Sequence, residues 1–276
     1  MSVFEAIIVA IIEGLTEYLP VSSTAHMIFT SALFGNEKDE FVKMFQVSIQ
    51  FGAILAVVVA YWRKFFDFSN FKFYMKLALA VIPALVLGYL FDDAIEAVLE
   101  KPVPIAITMV CGGILLLFLD RVFKSPAIQD EKQIPVKSAV VIGFWQCLAM
   151  MPGVSRSAAS IIGGMQQKLS RTTAAEFSFF LAVPTMLAVT AYSVFLKDWN
   201  YMGQEMKGLE MILYSPDNIA HENLTVFLIG NVVAFLVALI AIKSFVSFLN
   251  KYGFKPFAWY RIIIGLVLLV VFYNQA

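Results

Sequence analysis

Apolar positions in this chain gather into long runs instead of recurring every second or every third to fourth place. Six runs approach or reach the roughly 17–25 residues a helix needs to cross a hydrocarbon layer of about 30 Å. They cover 44–62, 74–91, 103–120, 174–196, 224–242 and 256–273. Two more stretches are equally apolar but broken: 3–33 at Pro20, and 136–165 at Pro152 and Gly153. Proline removes a backbone donor and clashes with the preceding turn, and glycine costs conformational entropy. The pattern therefore predicts two half-helices around a turn in each broken stretch. Non-helical backbone at membrane depth persists only where protein or a water-filled cavity covers it, so both turns are candidate sites.

Composition agrees with a membrane protein. Of 276 residues, 60% are hydrophobic and 14% charged, against about a quarter charged in soluble domains; mean hydropathy is +0.80. The zero net charge speaks against nucleic acid as a partner, because phosphate backbones demand a basic surface. Cys111 and Cys147 lie in apolar runs at no metal-binding spacing and read as small buried hydrophobes. The first 12 residues lack a basic region, so no cleaved signal is expected.

Charge orders the loops. Arg63, Lys64, Lys72 and Lys76 separate the first two spans, Arg121, Lys124, Lys132 and Lys137 follow the third, Lys168 and Arg171 follow the second broken stretch, and Lys243, Lys251 and Lys255 precede the last span. Asp92, Asp93, Glu96 and Glu100 lie between the second and third spans, and the loop 198–222 is mixed to acidic. The positive-inside rule places the basic group in the cytoplasm. Six spans satisfy every loop only if neither broken stretch crosses. The expected architecture is thus all-α and polytopic: six transmembrane helices plus two re-entrant hairpins, the first entering from outside and the second from the cytoplasm. Both termini then fall outside.

Sliding the chain by 133 residues lays EGLTEYLPVSSTA (13–25) on QCLAMMPGVSRSA (146–158), matching Leu15, Val21, Ser22 and Ala25 to Leu148, Val154, Ser155 and Ala158. Hairpin-then-three-spans occurs twice, and three is odd, so the second copy is inverted. A single integral domain, 1–276, is expected, with repeat 1 near 1–125 and repeat 2 near 136–276. Inverted repeats with broken helices meeting at the midplane recur among transporters.

The polar residues concentrate in the hairpins. Glu13 and Glu17 are four apart, on one helix face, and an ionisable group at mid-bilayer costs about 2.5–3.5 kcal/mol on insertion scales. A metal ion, a proton or an arginine from elsewhere must offset them. Ser22, Ser23 and Thr24 stand where the second half-helix begins, a position suited to N-capping and to binding an anion such as phosphate. His26 follows them. PGVSRSAAS (152–160) repeats the layout with Arg156 in place of Ser23, flanked by Ser155, Ser157 and Ser160. Arginine grips phosphate with a planar fork. Arg261, near the start of the last span, supplies either a second positive charge or an interfacial anchor. Gln50 and Glu176 read as supporting residues at most. Hydroxyls, an arginine and a helix start select a phosphoryl group, and Mg²⁺ typically joins one or two carboxylates to substrate phosphates. The residues thus read as a phosphoryl-transfer site for a lipid phosphate. A lipid flippase or secondary transporter on the same repeat is the alternative.

At these residues the chain resembles the bacterial undecaprenyl-diphosphate phosphatases, the bacitracin-resistance protein family. EGLTEYLPVSSTAHM (13–27) resembles the family's first signature and PGVSRSAAS its second; AEFSF (175–179), ALIAIKSF (238–245) and the WYR ending at Arg261 also fit. The resemblance implies hydrolysis of undecaprenyl diphosphate to the monophosphate, recycling the carrier lipid for cell-wall synthesis. It implies a plasma (inner) membrane enzyme with a divalent cation, Mg²⁺ or Ca²⁺, and a site opening to the periplasm. Glu13 and Glu17 match the acidic pair for metal binding or base function. Ser23 and His26 match the nucleophile or acid/base positions, and Arg156 with Ser155 and Ser157 the phosphate-binding group. Ala25, Ala158 and Ser160 stand where the family usually has glycine, glycine and threonine. Gly112-Gly113 and Gly163-Gly164 permit close helix packing within or between chains, so a homodimer is left open.

Overall fold

The computed structural model describes residues 1–99, 101–214 and 222–272. Glu100, residues 215–221 of the mixed loop and Tyr273 at the end of the sixth run lie outside them, as do the side chains of Asp93 and Glu96. We number the principal helices α1 (Val3–Thr16), α2 (Ser23–Phe34), α3 (Glu40–Ala60, with a turn at Ile49), α4 (Phe71–Leu90), α5 (Pro102–Val122), α6 (Val136–Cys147), α7 (Arg156–Gln166), α8 (Arg171–Ala191), α9 (Glu222–Tyr252) and α10 (Lys255–Phe272). Six of these are long and apolar enough to cross a membrane: α3, α4, α5, α8 with its π-helical extension to Leu196, α9 and α10. They coincide with the six predicted runs to within a few residues at most ends. The largest difference is α9, which continues ten residues past 242 because Phe245 and Leu249 still find buried contacts.

Both broken stretches form two helices. The ring of Pro20 conflicts with the carbonyl four residues earlier, and α1 accordingly ends at Thr16. Pro152 acts likewise: α6 ends at Cys147 and a single 3₁₀ turn, Leu148–Met150, follows. With 14 and 12 residues, α1 and α2 are each too short to span, since 14 residues make only about 21 Å of helix. Ala25 and Ala158 lie inside α2 and α7, where a methyl group carries no penalty. The left-handed residues are instead Ser22 (φ 73°) and Ser155 (φ 74°), the residues directly before the two helix starts.

The membrane setting explains the packing. Lipid offers no hydrophobic drive between helices, so contacts rely on small residues that let backbones approach. On α9, Gly230, Ala234 and Ala238 face inward while Val232, Leu236 and Ile240 are exposed. Helix α1 packs on α9 through Gly14, where an added Cβ would stand 2.8 Å from the Ala234 carbonyl oxygen. Helix α6 packs on α4 through Gly143, whose Cβ would stand 2.0 Å from the Ala80 carbonyl oxygen. Helices α3 and α8 contact each other, α5 and α10 pair along their lengths, α9 lies on α3 and α8 on α4.

The loops gather at two ends. Lys64 pairs with Glu131 (3.0 Å), Lys76 donates to the Glu131 carbonyl (2.9 Å), and Arg171 pairs with Asp120 (2.6 Å), which joins the loops that the sequence reads as basic. At the other end, Ala6, Phe41, Trp199, Met206 and Met211 share one core, with Met1 and Phe34 packed against it. That end holds a feature the charge pattern did not reveal. Asp198–Tyr201 and Gln204–Lys207 form a β-hairpin in register Tyr201↔Gln204. Met202 (φ 53°) and Gly203 (φ 77°) make its two-residue left-handed turn, and Trp199 and Met206, directly opposed, bury on one face.

Candidate functional site

The two turns meet inside the protein. Glu17 is the C-cap of α1 and Arg156 the first residue of α7; although 139 positions apart, their Oε1 and Nη2 atoms lie 2.7 Å from each other. Ser23, first residue of α2, donates from Oγ to the other carboxylate oxygen, Oε2, at 2.6 Å. All three are 6–8% exposed. A buried ion pair survives when hydrogen bonds occupy its remaining atoms, and here most are occupied. Arg156 Nη1 donates to the Ser178 carbonyl at 2.8 Å, and the guanidinium lies over the Tyr18 ring with Cζ 5.9 Å from its centroid. Tyr18 is itself fixed by its hydroxyl donating to the Ala53 carbonyl (2.7 Å) and by edge contact with Phe179.

Two groups are left over. Arg156 Nε and both carboxylate oxygens of Glu13 are buried without a hydrogen-bond partner among the described residues. A spare cationic donor and a spare carboxylate, each costly to bury alone, suit an incoming phosphoryl oxygen and an incoming cation respectively. The start of α2 is also open. Ser22, the expected cap, makes no side-chain cap bond, whereas Ser155 Oγ accepts from Ala158 N at 3.2 Å on α7. The first-turn N–H groups of α2 therefore remain unfilled by the capping serine, the condition under which a helix start attracts an anion. Left-handed non-glycine residues are costly and concentrate at functional sites, and Ser22 and Ser155 bracket this one.

Other expected ligands are committed elsewhere. Ser157 Oγ donates to the Tyr18 carbonyl (2.8 Å), and Ser160 Oγ bonds to the Arg156 carbonyl (2.9 Å) and to Ser178 Oγ (2.7 Å). Both hydroxyls tie the two turns and α8 together and offer no free donor to a phosphate. Arg261 is not the interfacial anchor: it is fully buried, a second positive charge beside the two turns, and all of its guanidinium nitrogens donate to backbone carbonyls. Thr24 is half-buried beside Ser23. His26 does not join the Glu17–Ser23–Arg156 cluster by hydrogen bonds; its Nδ1 faces the Ser22 carbonyl at 2.7 Å and its Nε2 the Tyr260 hydroxyl at 2.8 Å. A carbonyl only accepts, so Nδ1 carries the proton. Glu176 lies with Tyr61 and Lys64 at the basic end, and Gln50 is buried in α3.

Sequence reasoning missed Ser178, Tyr18, Thr108 and Tyr260. Each acts through a contact with no sequence spacing to announce it, such as the 234 positions between His26 and Tyr260. Gly153 was legible as a breaker and has a further role. Its φ is 89°, and a Cβ there would meet Thr108 Oγ1 at 2.1 Å and the Ile105 carbonyl oxygen at 2.4 Å. Gly153→Ala is expected to destabilise the protein by at least about 2 kcal/mol, from a left-handed alanine and the backbone clash. Thermal unfolding in detergent checks this, and a melting temperature equal to wild type would refute it.

Fold and site together define a class: a polytopic helical membrane protein with a buried carboxylate–serine–arginine cluster where two broken helix pairs meet. Within that class the chain belongs to the bacitracin resistance protein BacA family, whose family model matches residues 6–267. It is 51% identical over 272 residues to an undecaprenyl-diphosphatase of Flavobacterium johnsoniae, covering 98% of this chain and 96% of the relative. It is 46% identical over 288 residues to an undecaprenyl-diphosphatase of Porphyromonas gingivalis, covering 98% and 97%. It is 38% identical over 284 residues to undecaprenyl-diphosphatase 1 of Clostridioides difficile, covering 99% and 97%.

Proposed function

We infer that this chain hydrolyses undecaprenyl diphosphate to undecaprenyl phosphate and inorganic phosphate. Family membership and near-full-length similarity to proteins named undecaprenyl-diphosphatase support the activity. One observation carries the mechanism: Glu17 receives Ser23 Oγ on one oxygen (2.6 Å) and Arg156 on the other (2.7 Å). A serine hydroxyl aimed at a carboxylate that a guanidinium holds in place is an activated nucleophile with an oriented base. Ser23 Oγ attacks the terminal phosphorus while Glu17 Oε2 takes its proton. The bond from that phosphorus to the bridging oxygen breaks, and undecaprenyl phosphate leaves. Water then attacks the seryl phosphate, and Glu17 returns the proton to Ser23 Oγ as inorganic phosphate departs. Arg156 balances the anionic charge, with Nε as the donor still free, and the first turn of α2 receives phosphoryl oxygens beside Ser22 and Thr24. His26, three residues along α2 from Ser23, is the rival nucleophile, and direct attack by water is the third route. The alternative activity, lipid flipping or secondary transport, has no support in the relatives' names.

Of the two expected ligands for a divalent cation, Mg²⁺ or Ca²⁺, Glu13 fits better than Glu17, whose two oxygens already accept from Ser23 and Arg156. The unpartnered, fully buried carboxylate of Glu13 is the group a cation would satisfy. Among the described residues no cluster of three or more metal-ligating side chains occurs, so a cation held here would need substrate oxygens and water to complete its shell. When bound, it would neutralise phosphate charge beside the carboxylates. Chelation is expected to reduce phosphate release to background, with activity restored by Mg²⁺ or Ca²⁺. Glu13→Gln is expected to raise the half-saturating metal concentration about tenfold or more, the order of effect ligand-sphere changes have on affinity. Full activity in chelator would dismiss the metal.

The finer architecture belongs to the same reading: two re-entrant hairpins in one domain, 1–276, made of inverted repeats near 1–125 and 136–276. Its support is reciprocity. Matching α1–α5 to α6–α10 turns the α1–α9 contact into α6–α4 and the α3–α9 contact into α8–α4, and maps the α3–α8 and α5–α10 pairs onto themselves. Ser22 and Ser155, equivalent under the 133-residue shift, share a left-handed φ. The basic end is assigned to the cytoplasm by charge, which leaves the termini on the outer side of the bacterial plasma membrane; a site opening to the periplasm is what the family resemblance implies. The deciding experiment is phosphate release by the purified protein from a C55 or shorter prenyl diphosphate. Failure to release phosphate with metal present would end this proposal.

A further inference from the structure

Arg261 is fully buried, and its five guanidinium hydrogens have five carbonyl partners. Nη1 donates to Pro20 (3.1 Å) and Val154 (2.9 Å), Nη2 to Gly153 (2.7 Å) and Thr108 (3.4 Å), and Nε to Met109 (3.3 Å). Pro20 and Gly153 are equivalent positions of the two turns, 133 apart, and each lies two residues before a left-handed serine. One planar fork thus holds the same carbonyl in both turns. The last helix, which carries no other residue of the Glu17–Ser23–Arg156 cluster, supplies it. Space for the fork comes from α5: a Cβ on Gly112 would stand 2.2 Å from Nη2 and 2.8 Å from Cζ. Thr108 Oγ1 adds a bond to the Pro152 carbonyl from the same helix.

We propose that Arg261 is a positioning residue, a clamp beneath both turns that fixes the Ser23–Glu17 half of the site against the Arg156 half without touching the phosphates. A lysine has three donors on one atom and no fork, so it cannot hold the equivalent carbonyls of the two turns in one plane. Misplacing reacting groups by about 1 Å costs on the order of 10²-fold in rate. The proposal rests on the hydrolase reading and refines it.

Two variants test it, each compared with active wild type. Arg261→Lys and Gly112→Ala, the latter displacing the guanidinium from a different helix, are expected to lower kcat by about 30- to 100-fold. KM and the inhibition constant of inorganic phosphate should stay within about threefold, the range expected when ground-state binding is intact. The double variant should be little worse than the poorer single one, since both break one interaction. Arg156→Lys serves as contrast and should weaken inhibition by phosphate. A tenfold rise in the phosphate inhibition constant for Arg261→Lys would make it a ligand and overturn the clamp. So would wild-type kcat in either variant, or failure of both to yield monodisperse, cooperatively melting protein, which would assign the contacts to the whole fold. An inactive wild type would instead strike the hydrolase reading.

Discussion

Replacing Arg156 with alanine is expected to lower kcat/KM for prenyl diphosphate hydrolysis by about 10³-fold or more. Two effects combine. The variant loses the guanidinium that offsets phosphoryl charge, and removing one preorganised donor of this kind costs about 10²–10³ in rate. It also releases Glu17, whose Oε1 has Arg156 at 2.7 Å, so the base for Ser23 loses its orientation. Breaking a buried ion pair from one side costs about 3–5 kcal/mol of stability as well, and a fall in activity could then reflect unfolding. The double variant Glu17→Gln/Arg156→Met separates the two. It removes both members of the pair together, so its melting temperature should recover towards wild type while hydrolysis stays absent. Arg156→Ala retaining near-normal hydrolysis would remove Arg156 from the site.

Much of this site was legible because the sequence breaks its own rules there. Acids at 13 and 17, hydroxyls at 22–24 and an arginine at 156 have no place in lipid-facing helices, and prolines at 20 and 152 mark the places where helices must stop. The six spans were legible for the simpler reason that length and apolarity are local properties. What stayed hidden is relational. Ser157 and Arg261 look like phosphate ligands in sequence because their chemistry allows it, but backbone carbonyls of Tyr18, Pro20 and Gly153 reach them first. Ser178 holds Arg156 through its main-chain carbonyl, an interaction that no residue type encodes. The β-hairpin at 198–207 was obscured by its charges, although Gly203 at a two-residue turn and Trp199 opposite Met206 were its signals.

The 133-residue shift that underlies the proposed repeat also shows how lopsided the site is. Under the 133-residue shift Glu13 falls on Gln146, Glu17 on Met150 and Ser23 on Arg156. One turn keeps the acids and the hydroxyl; the other exchanges them for the cation. Gln146 is buried and donates to Thr185 Oγ1 at 3.0 Å, a neutral hydrogen bond in place of the open carboxylate of Glu13. Two turns with acids would repel any diphosphate, and two with arginines would give it no base. With acids in one turn and the arginine in the other, the single site has both.

That asymmetry makes Ser23 the most exacting test. Ser23→Ala is expected to abolish turnover, a loss of about 10⁴-fold or more by analogy with removing a nucleophile that works with its base as a unit, at little cost to stability because one hydroxyl is lost. Quenching the wild-type enzyme during turnover of substrate labelled in its terminal phosphate should leave label on Ser23, recovered by peptide mapping as phosphoserine. Glu17→Gln should suppress the label, since a neutral amide cannot take the Ser23 proton. His26→Ala should retain it with only a modest loss of rate, because His26 bonds to the Ser22 carbonyl and to Tyr260 and not to Ser23 or Glu17. Label on His26 instead would make the imidazole the attacking group and reduce Ser23 to a phosphate ligand. No label on either residue, with solvent oxygen incorporated into phosphate in a single step, would point to water activated by Glu17, and the Ser23–Glu17 bond would then mark where that water stands.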